Sequence, residues 1–347
     1  MTYTEIKNKV ATDKDYMFLS TNEHLGNHIC LLGLGGSYAY GTNIETSDID
    51  VRGIALNTAE EILLGRDFET VVNNVTDTTI YSFNKIIKLL ISCNPNTIEL
   101  LGLKPEQYIY KDEVGQLLLD NKHLFLSKKV VNSFGGYAHS QLRRLDNKSA
   151  RVLNQTEHEK HILNSINNAT YSFAGRYSTI VEPDKLELFV GKSKKEYIDN
   201  EILANIHLDN YPVRDYADIM SEINAIIRAY DKDSSRNRKA VEHNKLSKHM
   251  MHLLRLYMMC IDILEEHEIN TYREKEHDLL MSIRNNDYLD LETMQPTEDF
   301  NKLVDKYQQR MEEAVERTTL PDEPDYEKIN ELVKKVNRGI ILNDKEA

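Results

Sequence analysis

Apolar and polar positions in the first hundred residues alternate in ways that predict short strands and amphipathic helices. The apolar run from His28 to Leu34 ends in glycines, which is typical of a buried strand that leads into a turn. The glycine- and threonine-rich stretch 35–47 predicts a turn or a short helix. Residues 48–56 begin with polar–apolar alternation and predict a second strand, and 77–81 predict a third.

Helical periodicity starts at Ser82, where apolar residues fall at i, i+3, i+4, i+7 and i+8. These residues are Phe83, Ile86, Ile87, Leu90 and Ile91. The Asn94-Pro95 pair predicts the end of this helix. A second helix is expected from Asn96, with Glu99 completing a capping box.

The chain is predicted to be mainly helical from about residue 125. Its clearest helix spans 245–266, whereas 185–210 is less periodic and predicts loops. The expected fold is therefore α+β, with a mixed, twisted sheet and flanking helices followed by a mainly helical domain. The expected boundaries are 1–125 for a catalytic domain, 126–295 for a helical domain that closes over the site, and 296–347 for a charged helical extension.

Carboxylates at the start of the second strand are the first candidates for chemistry. Side chains at i and i+2 of a strand share a face, so Asp48 and Asp50 are expected to project together, and Arg52 shares that face. Carboxylate oxygens suit magnesium. A neighbouring strand should supply a third carboxylate, for which Asp77 is the candidate. The sequence thus predicts a divalent-metal site.

A glycine turn precedes these carboxylates. Gly36-Ser37 follows the first strand, and ten residues separate Ser37 from Asp48. Glycine lets a backbone approach a phosphate closely, and N–H groups with a serine hydroxyl can hold phosphate oxygens. Two other phosphate motifs are excluded, because Tyr38 stands where a dinucleotide fingerprint needs glycine, and no lysine precedes Thr42 as a P-loop requires.

Gly-Ser, this spacer and Asp-x-Asp together resemble the signature of DNA-polymerase-β-type nucleotidyltransferases. The fuller strings Gly36 to Thr42 and Ser47 to Gly53 are similar to the branch linked to RNA-repair pathways in bacteria and phages. The likeness continues in 94–101, 136–142, 248–256 and 279–284 and covers most of 30–285.

This resemblance implies a polymerase-β-like core that transfers a nucleoside monophosphate from a nucleoside triphosphate, with Mg²⁺ or Mn²⁺. It implies that Asp48, Asp50 and Asp77 are the catalytic metal ligands and that Gly36 and Ser37 contact the triphosphate. We expect Arg52 to take part in nucleotide binding. The resemblance does not fix the acceptor.

Charge bears on the acceptor. The formal net charge of −13 opposes nucleic-acid binding on average, but six Lys and Arg residues against one acid lie between Arg236 and Arg255. Lys248 and Arg255 share a helix face there and are predicted phosphate contacts. An RNA 3′ end, tRNA included, is the expected acceptor. A protein hydroxyl (an AMPylating enzyme of toxin–antitoxin type), a small molecule, and nucleotide binding without turnover remain open.

The remaining composition indicates where the protein works. The sequence contains no run of eighteen apolar residues, so no membrane span is predicted. The first residues lack the pattern of a signal peptide. The three cysteines are far apart in sequence, which disfavours a disulfide framework or a structural zinc site. A cytoplasmic location is expected, with no membrane partner.

Overall fold

A computed structural model describes residues 1–136, 138, 155–173, 186–194, 200–231, 246–291 and 295–343. The chain forms two compact units, and each is described by itself. The first comprises Met1–Ala138, His252–Ser282 and Lys302–Ala347, and the second comprises His139–Met251 and Ile283–Asn301. The division into 1–125, 126–295 and 296–347 stays a prediction.

A five-stranded mixed sheet lies in the first unit. Its strands are β1 (Ile29–Leu34), β2 (Val51–Ala55), β3 (Thr70–Asn73), β4 (Thr78–Ser82) and β5 (Tyr108–Lys111). They are ordered β3-β4-β2-β1-β5, and only β2 and β4 run parallel among these neighbours. The α+β class with a mixed sheet is thus confirmed. The second strand starts at Val51, so the expectation that it contains Asp48 and Asp50 was wrong.

Helices cover the sheet and make up most of the remaining regular structure. In chain order they are α1 (Tyr3–Thr12), α2 (Phe18–Thr21), α3 (Gly36–Tyr40), α4 (Ala59–Leu64), α5 (Phe83–Ile91), α6 (Pro95–Ile98), α7 (Glu113–Asp120), α8 (129–136), α9 (Gln155–Phe173), α10 (Val213–Asp231), α11 (Leu246–Glu266), α12 (His277–Arg284), α13 (Glu298–Arg317) and α14 (Tyr326–Asn343). In the described residues, short 3₁₀ turns are formed by Lys14–Tyr16, Gly26–His28, Glu99–Gly102, Pro105–Gln107 and Lys122–Phe125.

Local sequence explains where several of these helices begin. Ser82 caps α5 by accepting a hydrogen bond from the Lys85 N–H, and four apolar side chains of the predicted stripe are buried. Burying each stabilises the fold by about 1.5–3 kcal/mol. The short helix after β1 is confirmed as α3. The expectation for the next helix was wrong: Asn94 caps α6, Pro95 is its first residue, and Glu99 begins a 3₁₀ turn instead of completing a capping box.

One face of the sheet packs on the N-terminal segment. Apolar side chains of α1 and of the residues up to Ile29 meet those of β1, β2 and β4 in one buried cluster: Ile6, Val10, Tyr16, Leu19, Leu25, Ile29, Leu32, Leu34, Tyr38, Val51, Ala55 and Ile80. Ile49 packs against this cluster. The segment that carries Asp48 and Asp50 is therefore anchored by the apolar residue between them.

The second unit contains a β-hairpin where loops were expected. Strands β6 (Leu186–Lys192) and β7 (Asn200–Ile206) pair antiparallel. Helices α9 and α10 pack with them around five buried isoleucines: Ile162, Ile166, Ile219, Ile223 and Ile226. A second short pair is formed by β8 (Leu289–Asp290) and β9 (Gln295–Pro296). Strand propensity in 186–206 was missed because only part of its apolar surface is buried.

All three cysteines are free, buried and placed in the first unit. Each thiol contacts a backbone carbonyl: Cys30 that of Ile54, Cys93 that of Phe125 and Cys260 that of Val130. Burial raises the pKa of each thiol.

None of the helices in the described part of the chain has the length and apolar character needed to cross a membrane.

Candidate functional site

The sheet topology brings the predicted catalytic segments to one end of the sheet. Because β1 and β2 are antiparallel, the glycine turn after β1 lies beside the residues that precede β2. Because β2 and β4 are parallel, the residue before β4 lies at the same end. Residues 36–37, 48–50 and 77 therefore approach one another although they are separated in sequence.

Gly36 lies directly against the carboxylate of Asp50. Its φ of +54° falls in the left-handed region, which glycine adopts without the penalty that other residues incur. A Cβ placed on Gly36 would overlap Oδ2 of Asp50. The Gly35 N–H donates a 2.8 Å hydrogen bond to the Asp50 carbonyl, which fixes the turn to the carboxylate segment. This position thus requires glycine for two independent reasons.

Ser37 is the second residue of α3 and is buried. The first N–H groups of a helix have no partner within that helix and carry its positive dipole end. In a helix as short as α3 the dipole is small. An anion bound there would therefore be held mainly by hydrogen bonds from the N–H groups. The turn can therefore offer backbone N–H groups and a hydroxyl to an anion beside Asp50.

Arg52 ties the carboxylate segment to the neighbouring strand. Its Nη1 donates to the carbonyls of Val51 (3.0 Å) and Asp77 (2.7 Å), and its Nη2 lies 3.7 Å from Oδ1 of Asp50. The side chain is about one-quarter exposed. Arg52 therefore joins β2 to the turn before β4 and places a positive charge beside Asp50.

Asp77 occupies a strained turn just before β4. Its φ is +46°, and its carbonyl accepts hydrogen bonds from Arg52 and from the Val51 N–H. Its side chain, like that of Asp48, is exposed, while Asp50 is half-buried. The Asp77 backbone therefore joins β2 and β4, while its carboxylate faces solvent.

The Tyr16 phenol is affected by carboxylates at this end of the sheet. Burial raises the pKa of its phenol, and the negative charges of Asp13, Asp15, Asp50 and Asp77 raise it further. Asp50 and Asp77 therefore act on the same buried phenol. A concentration of negative charge of this kind favours a cation.

The donor chemistry at this end suits a divalent ion, although the described residues include no group of three or more His, Cys, Asp or Glu side chains arranged to hold one. Asp48 and Asp50 supply hard oxygen ligands from one short segment. The absence of a side chain at Gly36 makes room for the Asp50 carboxylate. Asp48 and Asp50 therefore fit a divalent-ion site.

The two predicted basic contacts differ in environment. Lys248 belongs to the second unit and is exposed, whereas Arg255 belongs to the first unit and is 1% exposed. Arg255 Nη1 donates to Oε2 of Glu99 at 3.1 Å, so its charge is compensated inside the protein. Residues 236–245 of the basic stretch lie outside the described residues.

The contact between Tyr40 and Glu99 was not identified from the sequence. The Tyr40 hydroxyl lies 3.0 and 3.1 Å from the two carboxylate oxygens of Glu99. The Arg255 guanidinium lies 3.6 Å from the centre of the Tyr40 ring. These three residues are 59 and 156 positions apart, and no local spacing signals such a contact.

Part of this chain is similar to a phage protein. A 27%-identical match over 130 residues links the chain to an uncharacterized 38.9 kDa protein from the nrdC-mobD intergenic region of Enterobacteria phage T4. This match covers 34% of the chain and 38% of the phage protein, so it spans well under two-thirds of that relative. No solved structure matches the chain.

A family model gives the more specific match. The model of the RNA repair pathway DNA polymerase beta family (RlaP) matches residues 13–166, which include the glycine turn, the paired aspartates and Asp77. The resemblance inferred from the motifs is thereby confirmed. Residues 13–166, a little under half of the chain, are thus similar to the RNA repair pathway DNA polymerase beta family.

Proposed function

We propose that this protein transfers a nucleoside monophosphate from a nucleoside triphosphate to an acceptor hydroxyl, with release of pyrophosphate. The observation that carries the proposal is the packing of the Gly36 turn against the Asp50 carboxylate. A phosphate held by the turn would lie beside the carboxylate, as a reaction of metal-bound triphosphate requires. The match to a polymerase-β family supports the same reaction class.

Each residue of the region has a distinct proposed role. Asp48 and Asp50 would hold Mg²⁺ or Mn²⁺, with Asp77 as the third ligand, and the bound ion would supply charge neutralisation and activation of the hydroxyl. Ser37 and the backbone N–H groups of the turn bind the phosphate oxygens. Arg52 orients Asp50.

The acceptor we propose is an RNA 3′ end, tRNA included. The family name associates its members with RNA repair. The exposed Lys248 is the proposed contact to a phosphate group, and its cationic side chain would attract RNA in spite of the net charge of −13. Arg255 is proposed to support the nucleotide site from within the protein.

The test is a transfer assay with each α-³²P-labelled nucleoside triphosphate, magnesium, and either an RNA pool or a cell lysate. Label in RNA supports the proposal. Label in protein indicates a modifying enzyme of AMPylating type, and label in small molecules indicates a small-molecule acceptor. Nucleotide binding without pyrophosphate release would show a binding module and contradict the proposed reaction.

A further inference from the structure

A buried ion pair lies next to the short helix that follows the glycine turn. Glu99 and Arg255 are 7% and 1% exposed, and their charged groups are 3.1 Å apart. Desolvating two charges costs about as much as their attraction returns, so neutral replacement of a buried pair is often harmless to stability. In addition, the Nε–H of Arg255 has no hydrogen-bond partner within the described part of the chain. Stability alone therefore does not account for this pair.

Both members of the pair hold Tyr40. The Glu99 carboxylate accepts the hydrogen bond of the Tyr40 hydroxyl, and the Arg255 guanidinium stacks on its ring. Burial raises the pKa of Tyr40, so the phenol stays protonated and remains a donor. The side chain of Tyr40 is thus fixed at its hydroxyl by one charge and at its ring face by the other.

Tyr40 is the last residue of α3, and Gly36 and Ser37 are the first two. A five-residue helix spans about 7 Å and is not stable by itself, so its position depends on tertiary contacts. Any movement of Tyr40 is transmitted to the glycine turn one helical turn away. The backbone of α3 is also held, because the Gln107 side chain donates to the carbonyls of Tyr38 (2.8 Å) and Ala39 (3.1 Å).

We propose that Glu99 and Arg255 are positioning residues for the proposed nucleotidyl transfer: together they clamp Tyr40 and thereby hold the Gly36-Ser37 turn against Asp50. This inference rests on the proposed function. It differs from the expectation that Arg255 contacts phosphate directly, because the guanidinium contacts Glu99 and the Tyr40 ring, and also lies 3.0 Å from Nδ1 of His252.

Tyr40→Phe is the most selective variant, because it retains the ring beneath Arg255 and leaves the ion pair intact. It removes only the hydrogen bond to Glu99. A slight misplacement of catalytic groups can lower turnover by about 100-fold, so we expect kcat to fall about 10- to 100-fold. The KM for the nucleoside triphosphate should change by less than about threefold, since uniform binding is not removed. Unchanged kcat in this variant would overturn the inference.

The pair itself is tested with Glu99→Gln, Arg255→Met and the double variant. Each single change leaves one buried charge uncompensated and should lower Tm, whereas the double variant should recover most of that loss. The inference predicts that the recovered double variant still shows a kcat about 10- to 100-fold below wild type. Recovery of both Tm and kcat would show a purely structural pair. A raised KM with normal kcat would show direct nucleotide binding by Arg255.

The wild-type protein separates the two proposals. Absence of transfer by the wild type, measured with the labelled triphosphates, magnesium and RNA pool, overturns the proposed function and with it this inference. Transfer by the wild type with equal kcat in Tyr40→Phe overturns the positioning role alone. If the double variant does not fold, Tyr40→Phe still decides the question, provided that its Tm is close to that of the wild type.

Discussion

Substitution of Gly36 by alanine tests whether the close approach of turn and carboxylate matters for activity. Two effects follow from the structure. The left-handed φ of +54° costs a non-glycine residue about 1–2 kcal/mol. The added Cβ also overlaps Oδ2 of Asp50, so the carboxylate must move. Because a misplacement of about 1 Å in a catalytic group can cost about 100-fold in rate, we expect kcat to fall about 100-fold.

Gly65→Ala is the matched control. Gly65 has φ +65°, close to that of Gly36, but a Cβ there would meet nothing within 4 Å. Gly65→Ala should therefore lose about 1–2 kcal/mol of stability, which lowers Tm by about 2–8 °C, and Gly36→Ala should lose at least as much. Only Gly36→Ala should lose activity.

The assay combines thermal denaturation with the labelled-nucleotide transfer reaction. A kcat for Gly36→Ala within threefold of that for Gly65→Ala would refute the reasoning, because the overlap with Asp50 would then have no catalytic consequence. A Tm loss confined to Gly36→Ala would instead show that the left-handed backbone at Gly65 is easily relaxed.

Three further predictions concern the carboxylates and the supports of α3. Asp48→Asn and Asp50→Asn should each abolish transfer and leave Tm unchanged within a few degrees. The control variant Glu106→Gln, at an exposed carboxylate, should be fully active. Transfer by either Asn variant would contradict the proposed metal ligands. Burial raises the pKa of Asp67, but hydrogen bonds to its carboxylate outweigh burial and hold this pKa below its usual range. The ionised form of Asp67 therefore stabilises the fold above about pH 4, and this stabilisation is lost as the pH falls through the lowered pKa. The difference in Tm between wild type and Asp67→Asn should accordingly close below about pH 4. A constant difference in Tm from pH 7 to pH 3 would contradict this prediction. Gln107→Leu removes the side-chain donor from two carbonyls of α3. Each unsatisfied carbonyl should lower the free energy of unfolding by about 1–3 kcal/mol, which would be measured as a lower Tm. An unchanged Tm would show that water replaces the amide.

The sequence predicted the elements that local patterns determine. The apolar stripe of α5 and its Ser82 cap specify that helix within a few residues. The glycine turn after β1 and the short helix that follows were likewise predicted from local composition. Each of these features depends on neighbours in the chain, which a single sequence displays directly.

Contacts between distant segments could not be predicted in this way. The strand β2 begins three residues later than expected because Asp48 and Asp50 alternate with apolar residues but lie outside the paired ladder. The role of Glu99 was mistaken because its partners, Tyr40 and Arg255, are brought to it by the tertiary fold. Whether Asp48, Asp50 and Asp77 bind metal stays a prediction.

The buried cysteines make the first unit suitable for chemical probing. A thiol must reach solvent and ionise before it can be alkylated, and burial opposes both steps at Cys30, Cys93 and Cys260. Since these thiols lie in β1, after α5 and in α11, their alkylation rates would report the opening of three separate parts of the unit. Equal rates would indicate that the unit opens cooperatively. A cysteine introduced at the exposed Lys248 could meanwhile be labelled selectively, without removal of the native three.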